Sequence, residues 1–369
     1  MACRKLYNPP AIANNGSYLV VEGVINSGAD STTITLSRTV NISAKVTTNP
    51  ELHALVSVVS DQNTTYPLAE TANGKYVAAG LNLDNSHTYR LNIKTSDNKQ
   101  YQSDLVPVNV TPPIDSIGFN IVNIPVTGIQ IYANTRDPAN LVKYYRWDYD
   151  EAWQFHAKYI SYYIAENNML GIRNANQQIY FCYSNDVSSD VVLASSAKLQ
   201  QDILYQSPIL FIPSTSEKIE AKYSILLREY ALTADAYNFW INLKKNTEQL
   251  GSIFDAQPSE IQGNIHCITN PSEPVIGYVS VGTVSSKRIF ITSAQLPIWV
   301  PTYPYTCEQD TVTTYSYDFY NDLVLGKITL IGTGPPPVGG GLPAKILYST
   351  PDCVDCTLRG SKTPPPFWK

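Results

Sequence analysis

The stretch Thr88-Tyr-Arg-Leu-Asn-Ile-Lys94 decides how the first part of the chain is read. Tyr89, Leu91 and Ile93 fall on one side of an extended backbone, the period-two signature of a half-buried strand. Working outward, Tyr18-Leu-Val-Val-Glu-Gly-Val-Ile25 places Leu19, Val21 and Ile25 on one face. Residues 32–36, 54–59, 75–79 and 101–108 read as further short β segments. Ser27-Gly28, Asn73-Gly74 and Asp97-Asn98 are turn signals between them. Six or seven strands in about 90 residues, with no helical period, predict an antiparallel β-sandwich over 17–111. Its pattern is that of transthyretin-like or immunoglobulin-like modules, which host many functions.

Thr111-Pro112-Pro113 reads as the boundary, because successive prolines cannot continue a β ladder. A second, larger β-rich domain is expected over 112–369, with strands near 118–124, 128–133, 143–149, 178–183, 218–230, 276–281 and 288–292. It carries one prominent helix over 233–250. Thr233 caps it, Asp235 lies in its first turn, and Ala236, Phe239, Trp240, Leu243, Thr247 and Leu250 recur at helical spacing before Gly251. Gly334-Pro-Pro-Pro-Val-Gly-Gly-Gly341 reads as a loop, and 1–16 as a tether without apolar periodicity.

Of 369 residues only 15% are charged, while tyrosine reaches 26. The polar surface therefore rests on Ser, Thr, Asn and Tyr. A net charge of -5 with 26 basic residues gives no electrostatic footprint for nucleic acid. With 43% apolar residues the chain is not of the disordered class, and it holds no apolar run long enough for a membrane-spanning helix.

Cys353-Val-Asp-Cys356 is open to three readings. A redox dithiol would open a helix, and Thr357-Leu-Arg-Gly360 followed by Pro364-Pro-Pro366 does not read as one. A zinc site would need a second close pair, and Cys182, Cys267 and Cys307 are each isolated. Structural disulfides to distant cysteines suit the context better than either. His53, His87, His156 and His266 show no metal-ligand spacing and read as surface or hydrogen-bonded residues. The acidic groups Asp148/Asp150/Glu151 and Asp318/Asp322 read as solvated faces. No Gly-x-Ser-x-Gly elbow or phosphate-cradling loop occurs, so no catalytic residue, metal or cofactor is expected. Tyr144, Tyr145, Trp147, Tyr149, Trp153, Phe155, Tyr159, Tyr162 and Tyr163 crowd one stretch. It offers a ligand or partner surface, set against the alternative of a tyrosine-rich core.

The chain begins Met1-Ala2-Cys3 with no apolar segment before the cysteine, which is open to two readings: Cys3 as the lipid-attachment residue of a mature bacterial lipoprotein, or an ordinary cytosolic N-terminus with an incidental cysteine. The run Tyr223-Ser-Ile-Leu-Leu-Arg-Glu-Tyr-Ala-Leu-Thr233, with Tyr237-Asn-Phe-Trp240 and Asn246-Thr-Glu-Gln-Leu-Gly-Ser-Ile-Phe-Asp255, carries a resemblance. So do Pro274-Val-Ile-Gly-Tyr-Val-Ser280, Lys287-Arg-Ile-Phe-Ile291, Leu19-Val-Val-Glu-Gly23, Pro112-Pro-Ile-Asp-Ser116 and the terminal Cys353–Gly360 block. Together they resemble the Bacteroidota outer-membrane lipoproteins grouped as domain of unknown function 4249. The resemblance implies a lipidated Cys3, an outer-membrane location and encoding near TonB-dependent transporters. It also implies paired cysteines at Cys182, Cys307, Cys353 and Cys356, with Cys267 as the free thiol. Arg4-Lys5-Leu6-Tyr7 departs from the acidic run that follows the lipidated cysteine in surface-exposed members, so both the cell surface and the periplasmic face stay open. The expected function is that of a non-catalytic accessory subunit, capturing or delivering ligand to a TonB-dependent transporter. A surface adhesin or structural interaction protein is the alternative. A hydrolase of unfamiliar type would instead require a deep polar pocket joining distant acids or histidines.

Overall fold

The computed structural model describes residues 17–40, 49–166, 169–248, 263–303, 305–313, 316–333 and 345–368. Cys3, the 1–16 tether, the 334–341 loop and positions 249–251 at the expected helix end lie outside the described residues. The chain is mostly β, with one prominent helix. It forms two compact units that interleave in sequence. The first gathers described residues of 1–111, 139–146 and 230–284, the second those of 112–138, 147–229 and 285–369. The expected single cut at 111/112 is thus replaced by an alternating division. The helix Ala234–Glu248 belongs to the first unit, not the second.

The first unit contains β1 (Leu19–Asn26), β2 (Thr32–Arg38), β3 (Leu55–Ser60), β4 (Thr65–Ala72), β5 (Lys75–Ala78), β6 (Thr88–Lys94), β7 (Gln100–Ser103) and β8 (Val106–Asn109). They pair in the order β7-β6-β3-β4-β5-β2-β1, and β8 pairs with β6. The short strand Ser280–Gly282 lies between β1 and β8, parallel to both. The hydrogen-bonded path therefore closes into an eight-stranded barrel-like ring, with no free edge at β1 or β8. Parallel pairing needs a long connection. Here the connection is the excursion through the second unit, which is why a local reading of strands assigned 276–281 elsewhere.

Alternation along each strand fills the interior with Leu19, Val21, Ile25, Ile34, Leu36, Val56, Val58, Leu91 and Ile93. Asn73 and Gly74, both at positive φ (49° and 73°), make the tight β4–β5 turn. β4 itself carries no legible alternation. Leu68 is its one buried residue, so the period-two signal is absent from Thr-Tyr-Pro-Leu-Ala-Glu-Thr-Ala. Buried tyrosines are tied by their hydroxyls. Tyr76 donates to the Glu51 carbonyl at 2.9 Å, and Tyr89 to the Asp84 carbonyl at 3.0 Å. Tyr101 donates to Glu273 Oε1 at 2.7 Å, beside an Arg38–Glu51 pair at 2.5 Å and a Lys99–Glu273 pair at 2.7 Å. The ring supplies apolar burial while the hydroxyl reaches backbone or carboxylate.

The helix Ala234–Glu248 starts where Thr233 Oγ1 accepts the Ala236 N–H at 3.1 Å, and it buries Ala236 and Phe239. Phe239 packs against Tyr278, ring centroids 5.5 Å apart.

The second unit holds a three-stranded antiparallel sheet ordered Ile203–Pro213, Gly128–Arg136, Ile114–Val122. A further sheet runs Phe181–Val187, Tyr144–His156, Lys222–Leu232, Val284–Thr292, with Val192–Ser195 also paired to Tyr144–His156; its residues 147–156, 222–229 and 285–292 belong to this unit. Two smaller sheets, Tyr163–Glu166 with Met169–Ile172 and Asp310–Val312, Ile346–Ser349, Thr329–Thr333, complete it. Among the described residues no helix is long and apolar enough to cross a membrane.

Candidate functional site

The strand Tyr144–His156, whose residues 147–156 lie in the second unit, carries a buried polar network. Period two turns every odd position inward. Tyr145, Trp147, Tyr149, Glu151, Trp153 and Phe155 are all buried, and the even positions are half-exposed except for buried Ala152. Of the two readings open for the aromatic stretch, the burial of its odd positions matches the tyrosine-rich core. Tyr144, Tyr159 and Tyr163 are half-buried, and Tyr162 is exposed. Nor is Glu151 part of a solvated acidic face. Its parity puts it inside at 4% exposure, whereas Asp148 and Asp150 point the other way and pair with Arg228.

Glu151 is held in the interior by two donors, Tyr223 Oη at 2.6 Å and Lys218 Nζ at 2.7 Å. Lys218 also lies 4.9 Å from the Trp153 ring centroid. Trp153 Nε1 donates to Glu217 at 3.2 Å, and Glu217 is ion-paired with Arg359. The Arg359 guanidinium stacks over Phe155 at 4.6 Å and Tyr305 at 5.4 Å. Glu220 accepts from Tyr303 Oη at 3.0 Å and from the His156 backbone N–H at 3.2 Å, with His156 Nε2 3.0 Å away. Charges and aromatic rings thus alternate along one connected network, and each buried carboxylate has at least two partners. Burial, reinforced by Glu151, pushes the Tyr223 phenol far up, and burial with Glu220 does the same to Tyr303. Both stay protonated and act as donors. Glu229 sits apart, with no exposed surface. It accepts from Thr135 Oγ1 at 2.9 Å and Trp147 Nε1 at 2.8 Å, and burial raises its pKa to about 7 against the lowering effect of those bonds.

Two disulfides pin the C-terminal segment beside this network. Cys182 is bonded to Cys356 and Cys307 to Cys353, while Cys267 is a buried free thiol in the first unit. Both cysteines of the Cys353–Cys356 motif have distant partners, and both lie in short helical turns, Pro351–Val354 and Cys356–Leu358. Neither the dithiol nor the zinc reading survives that pairing. Among the described residues no three His, Cys, Asp or Glu side chains are grouped to hold a metal. Each histidine faces a carboxylate instead: His53 Glu70, His87 Asp61, His156 Glu220, His266 Asp104.

The pinned segment forms one wall of an open cleft of ≈ 410 Å³. Asp150, Glu151 and Ala152 line it from one strand, Tyr183–Val187 from the next, Arg288 from a third, and Ser361, Thr363, Pro365 and Phe367 from the terminal segment. Arg288 donates to Ser224 Oγ at 2.8 Å and lies 3.6 Å from the Phe367 ring centroid. Asp186, exposed, is 3.7 Å from Lys218 Nζ. The cleft therefore brings together charges already engaged by protein partners, hydroxyls of Ser184, Ser361 and Thr363, the Asn185 amide and an aromatic edge. Such a lining can orient a polar molecule through hydrogen bonds and ring contact. Sequence reading missed Phe367, Arg288 and Asn185. They are isolated in the chain and meet only through sheet order and the disulfides.

A mostly β protein of two interleaved units with a disulfide-pinned terminus is the class these features define. The chain belongs to the family described as Domain of unknown function (DUF4249), whose model matches residues 4–288. Cys307, Cys353, Cys356 and the terminal wall of the cleft lie beyond the matched stretch, so the resemblance covers less of the chain than its quoted blocks imply. No curated protein matches the chain.

Proposed function

We propose that this chain is a non-catalytic, lipid-anchored envelope protein of the outer membrane. It captures a small uncharged polar ligand in the cleft of its second unit and passes it to a TonB-dependent transporter. The observation that carries the capture step is the ≈ 410 Å³ cleft, whose Asp150, Glu151 and Arg288 are each already engaged. The two carboxylates already have cationic partners and Arg288 is held by the Ser224 hydroxyl, while hydroxyl, amide and aromatic groups are there to orient a polar ligand. Anchoring through an acylated Cys3 and delivery to a transporter are supported by the resemblance to the Bacteroidota lipoproteins. The first unit we read as a sandwich-derived interaction module whose two faces are joined through β4 and β8.

Thermal stabilisation by a panel of neutral mono- and disaccharides and neutral amino acids tests the capture step. At least one compound is expected to raise Tm in the native chain and to lose that effect in Phe367→Ala. Stabilisation that persists unchanged in Phe367→Ala would move the ligand elsewhere. If the chain instead binds intact cell surfaces or matrix, with no small-molecule effect, the adhesin reading gains.

A further inference from the structure

Three uncharged stretches converge at one end of the second unit. No Asp, Glu, Lys, Arg or His occurs in 116–135, in 203–216 or in 289–307. These runs contain the turn 123–127, the turn after Pro213 and the loop 296–301. The turn after Pro213 ties the other two together. Ser214 N–H donates to the Thr127 carbonyl at 2.9 Å, and Thr302 N–H donates to the Thr215 carbonyl at 2.8 Å. Two apolar loops are thus fixed on either side of one hydroxyl-rich turn. Their tips stand in solvent: Ile298 is 100% exposed, Ile124 84%, Val300 69% and Val126 52%. Pro125, Pro297 and Pro301 restrict both loops, so this exposure is built in rather than incidental.

Single exposed apolar residues need no explanation, but a contiguous uncharged cluster of them marks an interaction site. Its composition identifies the partner. The outermost groups are aliphatic. The half-buried Trp299 and the hydroxyl residues Ser214 and Ser216 line the same space as Ile298. The charged side chain lining the space beneath, Glu220, is 5% exposed and held by His156 and Tyr303. Aliphatic tips beside an indole and hydroxyls, with no charged side chain presented among them, match the boundary between acyl chain and headgroup. We infer that the paired loops 123–127 and 296–301 insert into the interface of a lipid bilayer, giving the second unit a membrane contact independent of any lipid on Cys3. With no Lys or Arg in the tip, attraction to anionic headgroups plays no part, unlike a basic amphipathic surface.

The test uses the non-acylated full chain and large unilamellar vesicles of phosphatidylcholine, with and without phosphatidylglycerol. The chain should co-float with both kinds equally, and raising salt from about 50 to about 500 mM should change the bound fraction less than about twofold. Brominated acyl chains should quench the fluorescence lost in Trp299→Phe. The triple variant Ile124→Ser/Ile298→Ser/Val300→Ser, altered only at exposed positions, should keep its Tm and lose at least ~10-fold in partitioning. Absence of binding by the native chain overturns the inference, as does binding that the triple variant retains. Binding only to anionic vesicles at low salt also overturns it. So does concentration-dependent dimerisation abolished by the same variant, which would show a second copy covering the tip.

Discussion

At the residue scale, the most informative group is Glu229, buried between Thr135 and Trp147. Its pKa is raised to about 7 from an ordinary carboxyl value near 4.5, so the folded protein holds a proton there that the unfolded chain releases first. Its contribution is fully present at low pH, declines as pH rises from about 4.5 and is lost above about 7, an effect on the order of 3 kcal/mol. Glu229→Gln should remove this dependence, because a glutamine can accept from Trp147 through Oε1 and donate to Thr135 through Nε2. Urea unfolding at pH 5 and pH 8 checks it. The variant should match the native chain at the lower pH and exceed it at the higher. Tyr223→Phe should cost about 1–3 kcal/mol, since Glu151 stays buried with one donor fewer. None of these partners is adjacent in sequence. The Trp147 and Glu151 positions were legible as aromatic and acidic clusters, but their inward direction follows only once the strand parity of Tyr144–His156 is fixed.

At the element scale, strands with one buried face were legible and strands without one were not. β6 alternates in sequence and is a strand, while β4 shows one buried residue in eight and gives no signal. The closing strand Ser280–Gly282 is three residues long and pairs with partners far away in sequence, so nothing local marks its role. It is nonetheless tightly fitted: a Cβ on Gly282 would lie 2.3 Å from the Asn109 carbonyl oxygen. Gly282→Val should therefore push β8 away and cost about 2–4 kcal/mol. Hydrogen exchange should show the loss concentrated at β8 and β1. A uniform loss across both units would mean that the ring is not the weak point.

At the scale of the whole molecule, the interleaving of the two units limits what can be cut away. A fragment ending at residue 111 lacks Ser280–Gly282, Val275–Ile276 and Ile265–Cys267, and should show no cooperative unfolding despite containing all of β1–β8. The proline boundary was visible in sequence. The returns at 139–146 and 230–284 were not, because they depend on pairings across more than one unit's length of chain. The disulfides act at the same scale. Cys182–Cys356 spans 174 residues, and removing it by Cys182→Ser/Cys356→Ser should cost about 2–5 kcal/mol by the chain-entropy argument and loosen the terminal wall of the cleft. The central claim joins that cleft to a transporter, and affinity purification of the acylated full chain from its native outer membrane tests it most directly. The account predicts a TonB-dependent barrel recovered with the chain in stoichiometric amount. Recovery of the chain alone, from membranes in which such transporters are present, would contradict it.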